Sequence, residues 1–545
     1  MTERLRRWFE TIEQAPFTLK SWVLSFMAIV AIRVALEHFY LNFPFRFADS
    51  YFYYFTDFLL SFAVSLLVIT MVIRWGGQVS FPQAANLGLL TFLIIWLPPS
   101  IDEVISQGEG LWSFYSFDSL ANLFQRYLTF FGDNPEVSIT YGIRIEVALA
   151  LLFIFTYTLI KSRRWWRALV DTLVLYSALF VILALPSFVV IALEGPTRGF
   201  LQIQENDIAT FMLKPEVLFG LPAPSVISVF NLKVTLLFAP LLSLMVLFVG
   251  FRYFRPYCLA FLRNARLPQV LYHTGLFLLG GGLVYLYGEP VFVANFFHFS
   301  GLIILLIAVS GAWLASVVVN DLHDVAIDRL TNPRRPLVEN SLPRDTYITL
   351  GLLCFFVSVV FAAIISTQAA LLLMSYQALA YLYSATPLRL KRYPVIATMV
   401  ASAASLCVLI AGYIVFSADK NITTLPWSVL MLLFVAYTLL LPIKDFKDIE
   451  GDQADGVTTL PILFGEVWAK RIIGAMLFLL FLVSVFVFDM RHLFWLAFFF
   501  GSLAYWLLQM SSKDHRHFDY HHLAHWYIAL VSAYVLFISL PFLIR

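Results

Sequence analysis

Charge is scarce in this chain. Of its 545 residues 13% are charged and 61% hydrophobic, against roughly 25% charged in an ordinary soluble domain. That deficit excludes a soluble globular enzyme, a disordered protein and a nucleic-acid binder built on a basic surface. Cysteine is scarcer still, with Cys258, Cys354 and Cys407 alone. They show no CxxC spacing, so neither a disulfide framework nor a thiolate metal site is expected. Neither sign of charge dominates: 36 Lys+Arg stand against 34 Asp+Glu, a net charge of +2. The first residues, MTERLRRWFETIEQ, are charged and amphipathic and lack a cleavage signal, so the first apolar segment is expected to be retained.

What the chain has instead is apolar length. It carries 54 Phe, its mean hydropathy is +0.83, and runs of about 20 apolar residues recur throughout. The expected fold class is an all-α polytopic membrane protein with about fifteen transmembrane helices. Six lie near 21–41, 54–74, 82–99, 140–161, 168–194 and 229–252; the third is expected to end early at Pro98 and Pro99. Nine follow near 268–288, 299–319, 346–366, 369–386, 394–416, 425–443, 468–488, 491–509 and 526–543. Alternate loops are basic: Arg4, Arg6, Arg7 and Lys20, then Arg74, then Lys161 to Arg167, Arg252 to Arg266, Arg329 to Arg344, Arg389 to Arg392, Lys444 to Arg471, and Lys513 with Arg516. The opposite loops are acidic or weakly charged, as with Asp102, Glu103, Asp118 and Glu194. Cytoplasmic loops carry the Lys/Arg excess, so the N-terminus is expected inside and the C-terminus outside. The basic stretch RYFRPYCLAFLRNAR (252–266) marks the natural boundary. It separates a six-helix N-terminal membrane region, 1–255, of unknown role from a nine-helix domain, 256–545.

Chemistry is concentrated in two inside loops. The first runs Asn320, Asp321, Leu322, His323, Asp324, Val325, Ala326, Ile327, Asp328, Arg329, and the second Lys444, Asp445, Phe446, Lys447, Asp448, Ile449, Glu450, Gly451, Asp452. Each places aspartates at i, i+3 and i+7, which share one face of a helix. The pairs Asp321/Asp445, Asp324/Asp448 and Asp328/Asp452 keep one constant separation, an internal repeat. Three stacked carboxylates repel one another, and something positive must offset the repulsion. Oxygen-only donors favour a hard cation, Mg²⁺ before Zn²⁺, and Mg²⁺ characteristically bridges carboxylates to substrate phosphates. Arg329, Arg334 and Arg335 follow the first triad, Arg389, Lys391 and Arg392 lie in a third inside loop, and Lys444 precedes the second triad. A diphosphate leaving group calls for this kind of cationic surrounding.

Residues 260–545 resemble the UbiA superfamily of intramembrane prenyltransferases. Asn320–Asp328 is similar to its NDxxDxxxD motif, and Lys444 to Asp452 to the KDxxDxxGD form of its second motif, followed by GVTTLPILFG. Tyr383 to Lys391 is similar to its YSxxPLRLK segment. The resemblance implies a nine-helix bundle whose cavity opens to lipid, and Mg²⁺-dependent transfer of a prenyl group from a polyprenyl diphosphate to a lipophilic or aromatic acceptor. It implies Asp321, Asp324, Asp328, Asp448 and Asp452 as catalytic metal ligands, with Asp445 as a further one. Asn320, Lys391 and Arg392 would contact the diphosphate, with Arg329, Lys444 and Tyr383 beside it. Two departures are visible. The family's RPLPSG reads Arg335-Pro336-Leu337-Val338-Glu339-Asn340 here, and quinone-pathway members carry Tyr where this chain has Pro387.

The same scaffold also serves phosphoribosyl transfer to a polyprenyl phosphate and terpene cyclisation, and repeated acidic motifs also suit a cation transporter. His515, His517, His521, His522 and His525 lack an HExxH context and read as a solvated loop. Arg33, Glu37 and His38, and Arg144 and Glu146, are ionisable groups within or near membrane segments, where such groups are functional candidates. The N-terminal region holds no motif that converts into chemistry; partner binding, oligomerisation and delivery of lipid substrate are the roles open to it.

Overall fold

The computed structural model describes residues 2–40, 50–106, 115–132, 139–214, 218–220, 226–447, 449, 453, 458–512 and 519–543. Among them the chain is helical, with one isolated antiparallel bridge between Pro290 and Ser417. The cause is the solvent: in hydrocarbon a backbone must pair its own N–H and C=O groups, which a helix does within one segment. Thirteen of the described helices are long and apolar enough to cross a membrane. Thr367–Ser384, made more polar by Gln368, Ser375 and Gln377, and Tyr520–Leu543 complete the fifteen segments read from the sequence. The protein is an integral multi-pass membrane protein.

Four local outcomes differ from the sequence reading, and proline or helix length explains each. Phe81–Phe92 does not stop at Pro98 and Pro99. It tightens to a 3₁₀ turn over Leu93–Trp96 and resumes as Leu97–Ser106, with both prolines in a first turn that needs no amide donor. The single segment expected over 168–194 is two helices, Trp165–Leu183 and Leu185–Arg198. Pro186 cannot donate to the carbonyl four residues back, and the helix breaks there. Trp427–Leu440 gives way to a 3₁₀ stretch, Leu441–Lys447, at Pro442. With three residues per turn, this stretch does not carry the α-helical face expected to run through Asp445. Asp321 to Arg329 is no loop: helix Phe296–Thr331 runs through it for 36 residues. At 1.5 Å per residue that is about 54 Å, against a hydrocarbon core of about 30 Å. The helix is longer than an untilted crossing needs, and its acidic turns lie at its C-terminal end.

The chain divides into two compact units. One comprises 1–258 with 294–304, the other 259–293 with 305–545. In the first, the amphipathic helix Thr2–Glu13 is anchored through Glu13, which accepts from Tyr157 Oη at 2.9 Å and Lys161 Nζ at 2.7 Å. In the second, helices Leu267–Tyr287 and Ile396–Phe416 cross with backbones nearly touching. A Cβ at Gly280 would lie 1.9 Å from the carbonyl oxygen of Leu409, and one at Gly412 the same distance from that of Phe277. Small residues permit this approach where no hydrophobic force draws helices together. Gly412→Ala is expected to cost about 1–3 kcal/mol, read as a lower thermal midpoint of the detergent-solubilised protein. Gly282→Ala, which meets nothing within 4 Å, should leave the midpoint in place.

Candidate active site

The helix that carries the first aspartates also sorts them. Asp321, Asp324 and Asp328 are 1%, 6% and 5% exposed, while His323, Ala326 and Arg329 between them are exposed. Spacings of three and four put the carboxylates on the inward face. Buried carboxylates must be hydrogen-bonded or neutralised, and neighbouring segments of the second unit supply the partners.

Asp321 is bound from three sides. Its Oδ2 accepts from Asn264 Nδ2 at 2.5 Å and Tyr347 Oη at 2.7 Å, and its Oδ1 accepts from the Arg335 guanidinium at 2.9 Å. Asn264 Nδ2 also reaches Tyr347 Oη at 2.7 Å, and Asn264 Oδ1 accepts from Arg335 at 2.8 Å. The four side chains form a closed network. Asp324 sits between two cations of the third loop: Arg389 Nη2 donates at 2.9 Å, and Lys391 Nζ pairs with the other oxygen. Arg389 adopts a left-handed backbone, φ 42°, at the turn that brings both side chains to the carboxylate. Asp328 is less fully paired. Asn332 Nδ2 donates to Oδ1 at 3.1 Å, Arg335 Nε stands 3.8 Å away, and Oδ2 is buried with no hydrogen-bond partner among the described residues.

The structure therefore brings Asp321, Asp324, Asp328 and Lys391 together. Asn320 joins them through Ser384, whose hydroxyl donates to Asn320 Oδ1 at 3.1 Å. Arg329 and Arg392 are exposed, and Tyr383 is half-buried. Asp445 is half-buried on the 3₁₀ stretch. Asp448 and Asp452, and the side chain of Lys444, lie outside the described residues, as do 513–518 and the side chain of His521. The sequence reading assigned no role to Asn264 and Tyr347. Neither lies in a motif, and only the folded chain sets them against Asp321. Arg335 and Arg389 were visible as cations near the triads but without a carboxylate assigned to each.

Among the described residues no three His, Cys, Asp or Glu side chains converge as a metal-binding group. The donor chemistry nonetheless fits a hard divalent cation. The site offers carboxylate oxygens, and Oδ2 of Asp328 is a buried anionic acceptor without a donor.

Residues 281–539 match the family model described as the UbiA prenyltransferase family. Digeranylgeranylglyceryl phosphate synthase of Methanopyrus kandleri is 32% identical over 173 residues, covering 30% of this chain and 61% of that protein. The enzyme of the same name from Thermococcus sibiricus is 28% identical over 186 residues, covering 34% of this chain and 63% of its own length. The chain thus spans less than two thirds of these curated relatives. A solved UbiA homolog from Archaeoglobus fulgidus, bound to GPP and Mg²⁺, aligns at 18% identity and a TM-score of 0.40, over 51% of this chain and 99% of that one.

Tyr347→Phe deletes one of three donors to a buried carboxylate and is expected to cost about 1–3 kcal/mol. Thermal unfolding of the solubilised protein measures it. In a double-mutant cycle with Asn264→Ala the losses should be non-additive, because both side chains serve the same oxygen and each other.

Proposed function

Since residues 281–539 belong to the UbiA prenyltransferase family, we propose that this protein transfers a prenyl group from a polyprenyl diphosphate to an acceptor within the membrane. The observation that carries the reading is the interleaving of charges on one helix end: Asp324 and Asp328 face inward, and Arg335, Arg389 and Lys391 converge on the same row of carboxylates. A purely structural row would need the cations alone. A diphosphate held through a divalent metal needs both signs, the acids for the metal and the bases for the phosphate oxygens.

Asp324 and Asp328, joined by Asp445, Asp448 and Asp452 of the second motif, would hold Mg²⁺. A hard divalent cation held there would supply charge neutralisation for a diphosphate leaving group. The chain's own groups do the rest. Asn264, Tyr347 and Arg335 lock Asp321 and so fix the rotation of the helix that presents Asp324 and Asp328. Arg389 and Lys391, which neutralise Asp324, are the cations that would meet phosphate oxygens. Asn320 lies beside Asp321 on the same helix end. The apolar bundle accommodates the isoprenoid tail and keeps water from the electron-poor carbon. The acceptor is lipophilic or aromatic. The name shared by the two archaeal relatives makes a hydroxyl-bearing glycerol phosphate lipid the first to test.

The alternation of basic loops supports a cytoplasmic placement for the N-terminus and both aspartate motifs, with the C-terminus outside. The transferase is assigned to 256–545, and 1–255 is an accessory membrane region.

Purified full-length protein, given polyprenyl diphosphates and a lipid acceptor, should form prenylated product with Mg²⁺ and none in EDTA. Asp324→Ala and Asp448→Ala should each lower the rate at least about a hundredfold, the scale for losing a group that stabilises leaving-group charge. Full activity in either variant would sink the assignment.

A further inference from the structure

The first unit holds ionisable side chains within its spans that the transferase reading leaves unused. Glu146 lies in the second turn of helix Tyr141–Ser162. Among the described residues its carboxylate has neither a hydrogen-bond donor nor an ion-pair partner. The charged groups near enough to act on it are Arg33, Glu37 and Asp102. Arg33 is already paired with Glu37, and Asp102 accepts the Gly142 amide at 2.7 Å. Glu146 therefore shares the one guanidinium near it, that of Arg33, with Glu37 and Asp102, in a medium where a charge without its own counter-charge costs several kcal/mol.

What it faces is a cavity of about 40 Å³. That is room for little more than one water, whose share of liquid is about 30 Å³. The polar groups lining it are oxygens. Ser65 and Thr91 donate their hydroxyl protons to the carbonyls of Ser61 and Leu87, both at 2.9 Å. Their lone pairs remain, and no proton is left to offer Glu146. Ile95 also lines the cavity, on the 3₁₀ turn Leu93–Trp96. Its carbonyl would take an amide from three or four residues ahead, but those positions are Pro98 and Pro99, which have none. The neighbouring carbonyl of Ile94 is capped by Leu97. A broken membrane helix thus leaves a carbonyl without its helical amide on a residue that lines the same cavity as Glu146. Discontinuous helices build cation sites in membranes by this same means.

We propose that the first unit binds one monovalent alkali cation in this cavity, with Glu146 as anionic ligand and the Ile95 carbonyl and the Ser65 and Thr91 hydroxyls as neutral ones. A single carboxylate balances a single charge, whereas a divalent ion would leave excess charge in the apolar layer. A water alone would supply donors but not charge. The site stands independently of the transferase reading.

The test compares thermal unfolding of the intact protein in NaCl, KCl and choline chloride at equal ionic strength, together with equilibrium binding of radioactive Na⁺. A cation bound to the folded state alone raises the midpoint, so the midpoint should rise in an alkali salt relative to choline, with one ion per chain. Glu146→Gln should abolish the difference. Pro99→Ala, which restores an amide to Ile95, should weaken binding about tenfold, the equivalent of one hydrogen bond of roughly 1.4 kcal/mol. Asp324→Asn should keep the full shift. Equal midpoints in alkali and choline salts, an undiminished shift in Glu146→Gln, or a midpoint that follows pH and ignores cation identity would each overturn the proposal. Should Glu146→Gln fail to fold, wild-type affinity in both Pro99→Ala and Ser65→Ala overturns it.

Discussion

Burial of carboxylates next to an apolar phase is the constraint on which the rest of this structure depends. An ionised acid in such a place must find donors or a counter-charge, and the two units meet the requirement differently. In the second unit three acids on one helix face are met by Asn264, Tyr347, Arg335, Arg389 and Lys391. The compensation is graded, complete at Asp321, ionic at Asp324 and partial at Asp328. That gradient runs toward the end of the helix, and it leaves acceptor capacity where a metal and a diphosphate would dock. In the first unit Arg33 serves Glu37, and Glu146 is left facing a small cavity.

Helix length and helix breakage determine where these groups stand. Phe296–Thr331 is longer than the hydrocarbon layer is thick, and its acidic turns lie at its C-terminal end with their helix unbroken. The carboxylates are therefore mounted on a rigid rod, which holds their spacing to that of the helix. Proline acts in the opposite sense. Pro98 with Pro99, Pro186 and Pro442 each end or redirect a segment, and each frees backbone carbonyls that a continuous helix would have consumed. In the first unit one residue with such a carbonyl, Ile95, lines the cavity of Glu146. The prolines thereby place polar backbone inside an otherwise apolar unit.

Packing in the second unit leans on closeness more than on size. Gly280 and Gly412 let two helices meet backbone to backbone, and dispersion attraction across that crossing takes the place of the hydrophobic force that lipid cannot supply. The site residues are spread along the chain from Asn264 to Lys391, so their registry depends on such crossings. A helix rotated by one residue, about 100°, would turn Tyr347 or Asn264 away from Asp321.

Much of this was legible in the sequence because it follows from local rules. Long apolar runs must be helices in a membrane, a spacing of three and four must share a face, and the family motifs around Asn320 to Asp328 and Tyr383 to Lys391 are contiguous. The rest was not legible. That helix Phe296–Thr331 runs unbroken through the first triad, that the segment at Pro98 and Pro99 resumes, and that Pro186 divides another in two are seen only in the folded chain. Which cation meets which carboxylate is not local at all: Arg389 reaches Asp324 across 65 positions and Asn264 reaches Asp321 across 57. By itself the sequence determined the fold class and the spacing that sets Asp321, Asp324 and Asp328 on one helix face. Tertiary structure alone decided the partners of those acids, because hydrogen bonds and ion pairs act over a few ångströms in space and take no account of separation along the chain.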